Sequence, residues 1–235
     1  PEDAEVTARA KHLLTKLLPH CTIVAAISGR AAADIHGRVG VAGMVYVGNH
    51  GLERWQGGSV VIPPDVAAHR PAVEVALAEL PDLLDKYDGT MIEDKGPTLT
   101  VHYRNVAEPD RFATKMRPLV RKVTEKHGLR LYEGRMIFEI RPPLDLNKGT
   151  AMRALVEEYD LDAAVYLGDD VTDIDAIRVA RELREADECY AFGFGVDSDE
   201  TPSAVIEAAD FSVLGVAGVE DFFDWVFMAR SASSN

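Results

Sequence analysis

A chain of 235 residues with 47% apolar side chains can bury a substantial core, in one large domain or two small ones. Its formal net charge of -14 argues against a general nucleic-acid or membrane-surface binder, while leaving room for a small basic pocket that takes an anion. Its two cysteines, Cys21 and Cys189, lie far apart beside apolar runs, which suggests neither a disulfide framework nor a zinc site. No apolar run is long enough to span a bilayer and the start of the chain lacks a signal-peptide pattern, so a cytoplasmic protein is expected.

Leu13, Leu14, Leu17 and Leu18 recur at helical spacing, predicting a helix from Val6 to Leu18 that stops at Pro19. Thr22 to Ile27 reads as a buried strand. It runs into Ser28-Gly29-Arg30, a hydroxyl, a permissive backbone and a guanidinium where parallel α/β sheets bind ligands. Met44 to Val47 is a further strand, followed by a tight turn, Gly48-Asn49-His50-Gly51-Leu52-Glu53. Strand, helix and strand in succession predict a parallel sheet.

From Trp55 the pattern changes. A hairpin or loop around Gly57-Gly58 leads to helical spacing from Val66 to Leu84, interrupted by prolines. Strands are expected at Met91–Lys95, Thr98–Arg104, Arg130–Glu133 and Met136–Arg141, with an amphipathic helix at Arg111–His127. This section reads as an antiparallel sheet with helices on one face, inserted as a second domain over residues 48–142 and closed by Pro142-Pro143. The parallel pattern then resumes: a helix from Lys148-Gly149 to Tyr159, a strand at Ala163–Leu167, a helix at Ile174–Ala186, and strands at Cys189–Val196 and Phe211–Leu214. The Ser-rich tail after Arg230 reads as disordered.

The chemistry concentrates at Gly168-Asp169-Asp170-Val171-Thr172-Asp173, three carboxylates within five residues of a strand end. Carboxylates crowded in this way need a cation, and hard oxygen donors suit Mg²⁺. The alternative is an acidic helix start, with Asp170 or Thr172 as cap. Ser28 likewise either caps a helix beginning at Ala31 or binds an anion, and Lys148 is either a solvated first-turn lysine or a phosphate ligand.

Taken in order, Ser28, Gly48-Asn49-His50-Gly51-Leu52-Glu53, Glu93-Asp94-Lys95, His102-Tyr103-Arg104, Glu139-Ile140-Arg141-Pro142, Asn147-Lys148-Gly149 and Gly168-Asp169-Asp170 resemble the trehalose-6-phosphate phosphatase family of the haloacid-dehalogenase superfamily. The resemblance covers essentially the whole chain. It implies an α/β fold, a Rossmann-like haloacid-dehalogenase core (residues 1–47 and 143–235) with an inserted α/β cap. It implies Mg²⁺-dependent hydrolysis of trehalose 6-phosphate in trehalose biosynthesis, and association with or fusion to a trehalose-phosphate synthase. By resemblance Asp169 and Asp170 hold the metal, while Ser28, Lys148 and Asp173 belong to the catalytic set. Arg30, Asn49, His50, Glu53, Glu93, Lys95, Arg104, Glu139 and Arg141 are the substrate-binding candidates.

One motif is out of place. The family's nucleophile segment, Asp-x-Asp-Gly-Thr, is expected just before the helix at Val6, where this sequence starts at Pro1. Asp88-Gly89-Thr90 does not replace it, because Lys86 stands at the nucleophile's position and the segment falls in the insertion. The expectation is therefore a fragment of a longer phosphatase, inactive without its nucleophile. Another sugar-phosphate phosphatase of the superfamily and a non-catalytic sugar-phosphate-binding module are the rival readings.

Overall fold

The computed structural model describes residues 5–232. The start at Pro1 and the last serines of the tail fall outside them, although Ser231 and Ala232 still belong to the final helix. The chain divides into two compact units, one comprising residues up to Val61 and from Leu146 onward, the other Ile62–Asp145.

The first unit opens with α1 (Ala8–Leu17), which buries Ala10, Leu13 and Leu17 and is capped by Thr7, whose hydroxyl accepts from Ala10 N at 3.0 Å. Short strand β1 (Ala25–Ile27) follows, then α2 (Ala32–Val39) and β2 (Val45–Gly48), which pairs parallel to β1 with Ile27 opposite Val47. Strands β3 (Glu53–Gln56) and β4 (Ser59–Val61) add antiparallel to β2, giving the order β1-β2-β3-β4. The hairpin at Gly57-Gly58 thus extends the first unit's sheet, whereas the sequence reading begins the insertion at residue 48. Pairing of Tyr46 with Trp55, and the stacking of His36 on Trp55 at 4.3 Å, keep this segment with the first unit.

After the insertion come α6 (Lys148–Glu158), β9 (Ala163–Gly168), α7 (Ile174–Glu185), β10 (Tyr190–Asp197), α8 (Ser203–Ala208), β11 (Phe211–Leu214) and α9 (Gly215–Ala232). Strands β9, β10 and β11 form an all-parallel sheet of order β11-β10-β9. Its Ala164, Tyr166 and Ala191 side packs with Met152, Ala176, Ala180 and Leu183 of α6 and α7. Gly149 permits this packing: a Cβ there would meet the Asp175 carbonyl oxygen at 2.6 Å. Helices α8 and α9 are absent from the sequence reading. α9 returns to α1, where Thr7 Oγ1 donates to Glu220 and Arg9 binds Asp221 at 2.8 Å.

The second unit contains α3 (Pro64–Ala67), α4 (Arg70–Leu84), β5 (Met91–Asp94), β6 (Leu99–His102), α5 (Pro109–Lys126), β7 (Arg130–Gly134) and β8 (Ile137–Arg141). Its sheet is wholly antiparallel, order β5-β6-β8-β7. Period-two alternation sends Leu99, Val101, Phe138 and Ile140 to one face, where they meet Val73, Ala76, Leu80 and Leu84 of α4 and Phe112, Met116 and Val120 of α5. The amphipathic spacing read from the sequence for both helices is the reason this core forms.

Candidate active site

The first unit gathers its polar residues at the carboxyl ends of β1 and β9. Beyond β1, Ser28 N donates to Val47 O at 2.9 Å and Ser28 Oγ accepts from Arg30 N at 3.1 Å. The serine therefore folds its own loop and does not cap α2, whose N-cap Ala31 carries no side-chain bond. That role falls to Glu53: buried to 2% exposure, it accepts from Ala32 N at 2.6 Å across the strand connection. A helix N-terminus attracts anions, and here a carboxylate of the chain itself occupies it.

Asn49 and His50 follow β2 in left-handed backbone, φ 47° and 59°, with Gly51 at φ 106°. The two non-glycine residues in succession store strain of the kind found at functional sites, while Gly51 takes its positive φ without that cost. Their backbone amides bind the first loop, Asn49 N to Arg30 O at 2.8 Å and His50 N to Ser28 O at 2.9 Å. The His50 ring lies over Gly29 so closely that a Cβ at Gly29 would meet Nε2 at 2.5 Å. Any larger residue there would have to displace the ring. Arg30 leans back on α2 and donates to Asp34 at 2.9 Å.

Helix α6 starts beside this turn, Asn147 capping it by accepting from Thr150 N at 2.9 Å. Its first residue, Lys148, is buried and donates to Asp173 Oδ1 at 2.6 Å. The same oxygen accepts from Tyr166 Oη at 2.5 Å, and Asp173 Oδ2 accepts from Asp170 N at 3.0 Å and Asp169 N at 3.3 Å. Asp173 is thus the hub of the acidic loop. Gly168 allows this closure, since a Cβ there would meet the Asp173 side chain at 2.4 Å.

The remaining carboxylates differ. Asp170 caps the next turn, its Oδ1 accepting from Val171 N at 2.7 Å and its Oδ2 from Thr172 Oγ1 at 3.2 Å. Asp169 projects from the strand end with its carboxyl pushed above the usual range, first by desolvation and then by the charge of Asp173, with Lys148 opposing. Burial, reinforced by Asp173, pushes the Tyr166 hydroxyl well above its ordinary value, which keeps it a donor. Tyr166 had no role in the sequence reading. A lone tyrosine in an otherwise apolar strand two residues before Gly168 was the available signal.

The second unit holds the other candidates. Glu93, Glu139 and Arg141 share the polar face of its sheet, Glu93 opposite Thr100 and Thr100 opposite Glu139. Arg141 donates to Glu139 Oε2 at 2.5 Å and rests its guanidinium 4.6 Å from the Tyr132 ring centroid. Lys95 lies in the turn after β5, its backbone N–H on Thr98 O at 3.0 Å, and Arg104 is exposed in the turn beyond β6. Asp88-Gly89-Thr90 occupies a turn after α4, with Gly89 at φ 90°.

Against known proteins, the trehalose-phosphatase family model matches residues 1–213. The trehalose-phosphate phosphatase of Mycobacterium marinum is 34% identical over 242 aligned positions, covering 92% of this chain and 59% of that protein. The chain thus spans less than two thirds of this curated relative. Among solved structures, a trehalose-6-phosphate phosphatase related protein superposes with TM-score 0.77 at 20% identity, covering 99% of this chain and 92% of that one. The C-terminal domain of Candida albicans trehalose-6-phosphate phosphatase gives TM-score 0.70 at 22% identity, covering 97% and 86%. The expected haloacid-dehalogenase-type α/β fold is borne out by these neighbours. A family model that runs through both units, with the acidic loop, Lys148 and Ser28 all inside its span, makes this chain a member of the trehalose-phosphatase family.

Proposed function

We propose that this chain forms the sugar-phosphate site of a phosphoric monoester hydrolase acting on trehalose 6-phosphate. The observation that carries the reading is Lys148. A compact cation, buried at a helix start beside the Ser28–His50 loop and held by Asp173 of the acidic loop, is a charge suited to a phosphoryl oxygen. Ser28 supplies a hydroxyl to the same group. In the second unit, Glu93, Glu139 and Lys95 offer acceptors and a donor for glucose hydroxyls.

Asp169 and Asp170 are hard oxygen donors at one strand end, and burial first, then the charge of Asp173, disfavours the ionised form of Asp169, which a cation would favour, so the donor set fits Mg²⁺. When bound, the ion would neutralise charge on the phosphoryl oxygens. Asp173 is excluded from direct coordination by Lys148 and Tyr166. It instead orients the loop amides that aim Asp169 and Asp170.

A nucleophilic carboxylate is the part these residues do not offer. We infer that it belongs on a strand paired between β1 and β9. These strands end their respective sheets, and Ser28 and Asp169 follow their carboxyl ends. A synthase partner and a cytoplasmic setting belong to the same proposal. The free thiols of Cys21 and Cys189 support a reducing compartment, and among the described residues no helix is long and apolar enough to cross a membrane.

The test is calorimetric titration with trehalose 6-phosphate, followed by phosphate release in Mg²⁺ with and without an upstream strand bearing the Asp-x-Asp pair joined to the chain. Binding that weakens about a hundredfold in Lys148→Gln, with release only in the extended protein, is expected. Equal affinity for sucrose phosphate would point to another sugar-phosphate phosphatase. Binding with no release by either protein would make this a regulatory binding module.

A further inference from the structure

The polar face of the second unit's sheet also carries a histidine–glutamate contact. His102 Nε2 lies 2.8 Å from Glu93 Oε2, on neighbouring strands β6 and β5. Strand register sets this up: Met91 pairs with His102 and Glu93 with Thr100, so the imidazole reaches Glu93 diagonally across the pair, a distance long side chains span easily. The opposite face is filled by the apolar core, so both groups stand on the side that carries Glu139 and Arg141. Between the two glutamates, Thr100 Oγ1 is buried without a hydrogen-bond partner. Buried hydroxyls are normally satisfied, and one that is not marks a row where hydrogen bonds remain to be made.

We propose that His102 is a positioning residue for a carbohydrate hydroxyl. An ionised carboxylate only accepts, so the ring nitrogen facing it must carry the proton, and Nε2–H donates to Glu93 Oε2. With one oxygen held, the other is fixed toward the ligand. A free glutamate would have to lose its rotamer entropy on binding, whereas this one has already been ordered by the fold. The inference rests on the reading of Glu93 as a sugar ligand, and it adds the group that determines how well Glu93 performs that task.

The experiment is calorimetric titration of the chain with trehalose, comparing Glu93→Gln, His102→Leu and His102→Gln, with thermal melts of each. His102→Leu is expected to raise Kd about tenfold, equivalent to roughly 1.4 kcal/mol. His102→Gln, whose amide N–H reaches the same oxygen, is expected to restore binding. ¹⁵N spectra of the unmodified chain should show His102 protonated at Nε2. A spectrum with the proton on Nδ1 and Nε2 bare overturns the proposal without reliance on any variant. So does unchanged affinity in His102→Leu when Glu93→Gln binds weakly, and that result leaves the sugar-site reading intact. Unchanged affinity in Glu93→Gln, or no trehalose binding by the unmodified chain, removes the sugar-site reading and the inference with it.

Discussion

Lys148 Nζ and Asp173 Oδ1 meet at 2.6 Å with 9% and 5% of their side chains exposed. Removing one partner strands the other charge out of water, and such single changes cost about 3–5 kcal/mol, whereas an apolar pair of similar volume can be nearly neutral. Asp173→Leu is therefore expected to destabilise strongly, and Lys148→Met with Asp173→Leu to recover most of the loss while abolishing trehalose 6-phosphate binding. Urea midpoints of the four proteins check this. Additive losses in the double variant would show that the pair is not coupled.

Gly29→Ala places a Cβ 2.5 Å from His50 Nε2 and 2.8 Å from Cε1. The ring belongs to a residue already in left-handed backbone, so relief must come from moving the side chain or the turn. A loss of about 1–3 kcal/mol is expected, with weaker sugar-phosphate binding because Ser28 and His50 share backbone bonds. Melting temperature and affinity both like those of the unmodified chain would mean the ring swings clear without consequence.

Acid sensitivity should have an identifiable source in Asp210. Burial alone would raise its pKa, but hydrogen bonds from Arg184 and Gly193 N outweigh that and hold it below the usual carboxylate range. A depressed folded-state pKa contributes stability that is fully present above the unfolded value, about 3.9, and lost as pH falls through the lower folded value. Asp210→Asn should thus be less stable than the unmodified chain at pH 6, with the difference shrinking toward pH 3. Parallel stability curves for the two proteins would contradict this.

The two ends of the described chain are tied through Glu220. Thr7 Oγ1, which caps α1, donates to this buried carboxylate on α9, and Arg9 Nη1 approaches it at 3.3 Å. Glu220→Ala should cost about 0.5–1.5 kcal/mol, the net worth of the hydrogen bond from the exposed Thr7 hydroxyl, and amide exchange should quicken first in α1. Unchanged protection there would assign the stability of α1 to Leu13 and Leu17 alone.

What the sequence determined by itself is local and periodic. Alternation along Leu99–His102 and Ile137–Arg141, helical spacing in α4 and α5, and the apolar run ending at Gly168 placed most elements within a few residues, because burial of one face imposes a period on each. The acidic loop stood out for a related reason, since charge crowded at a strand end is unusual unless used, whereas Ser28 and Lys148 stood out only through their place in the family resemblance. Helix α9 was missed because its apolar residues nearly encircle it, Trp225 and Met228 remaining exposed while Phe222 packs on Phe194. Only tertiary structure decided which polar groups serve the fold. Glu53 caps α2 from another strand, Asp173 binds Lys148 twenty-five residues back in the chain, and His102 reaches Glu93 across a register. A carboxylate's role depends on which donors the folded backbone brings within about 3 Å of it, and those distances are set by packing that no local pattern encodes.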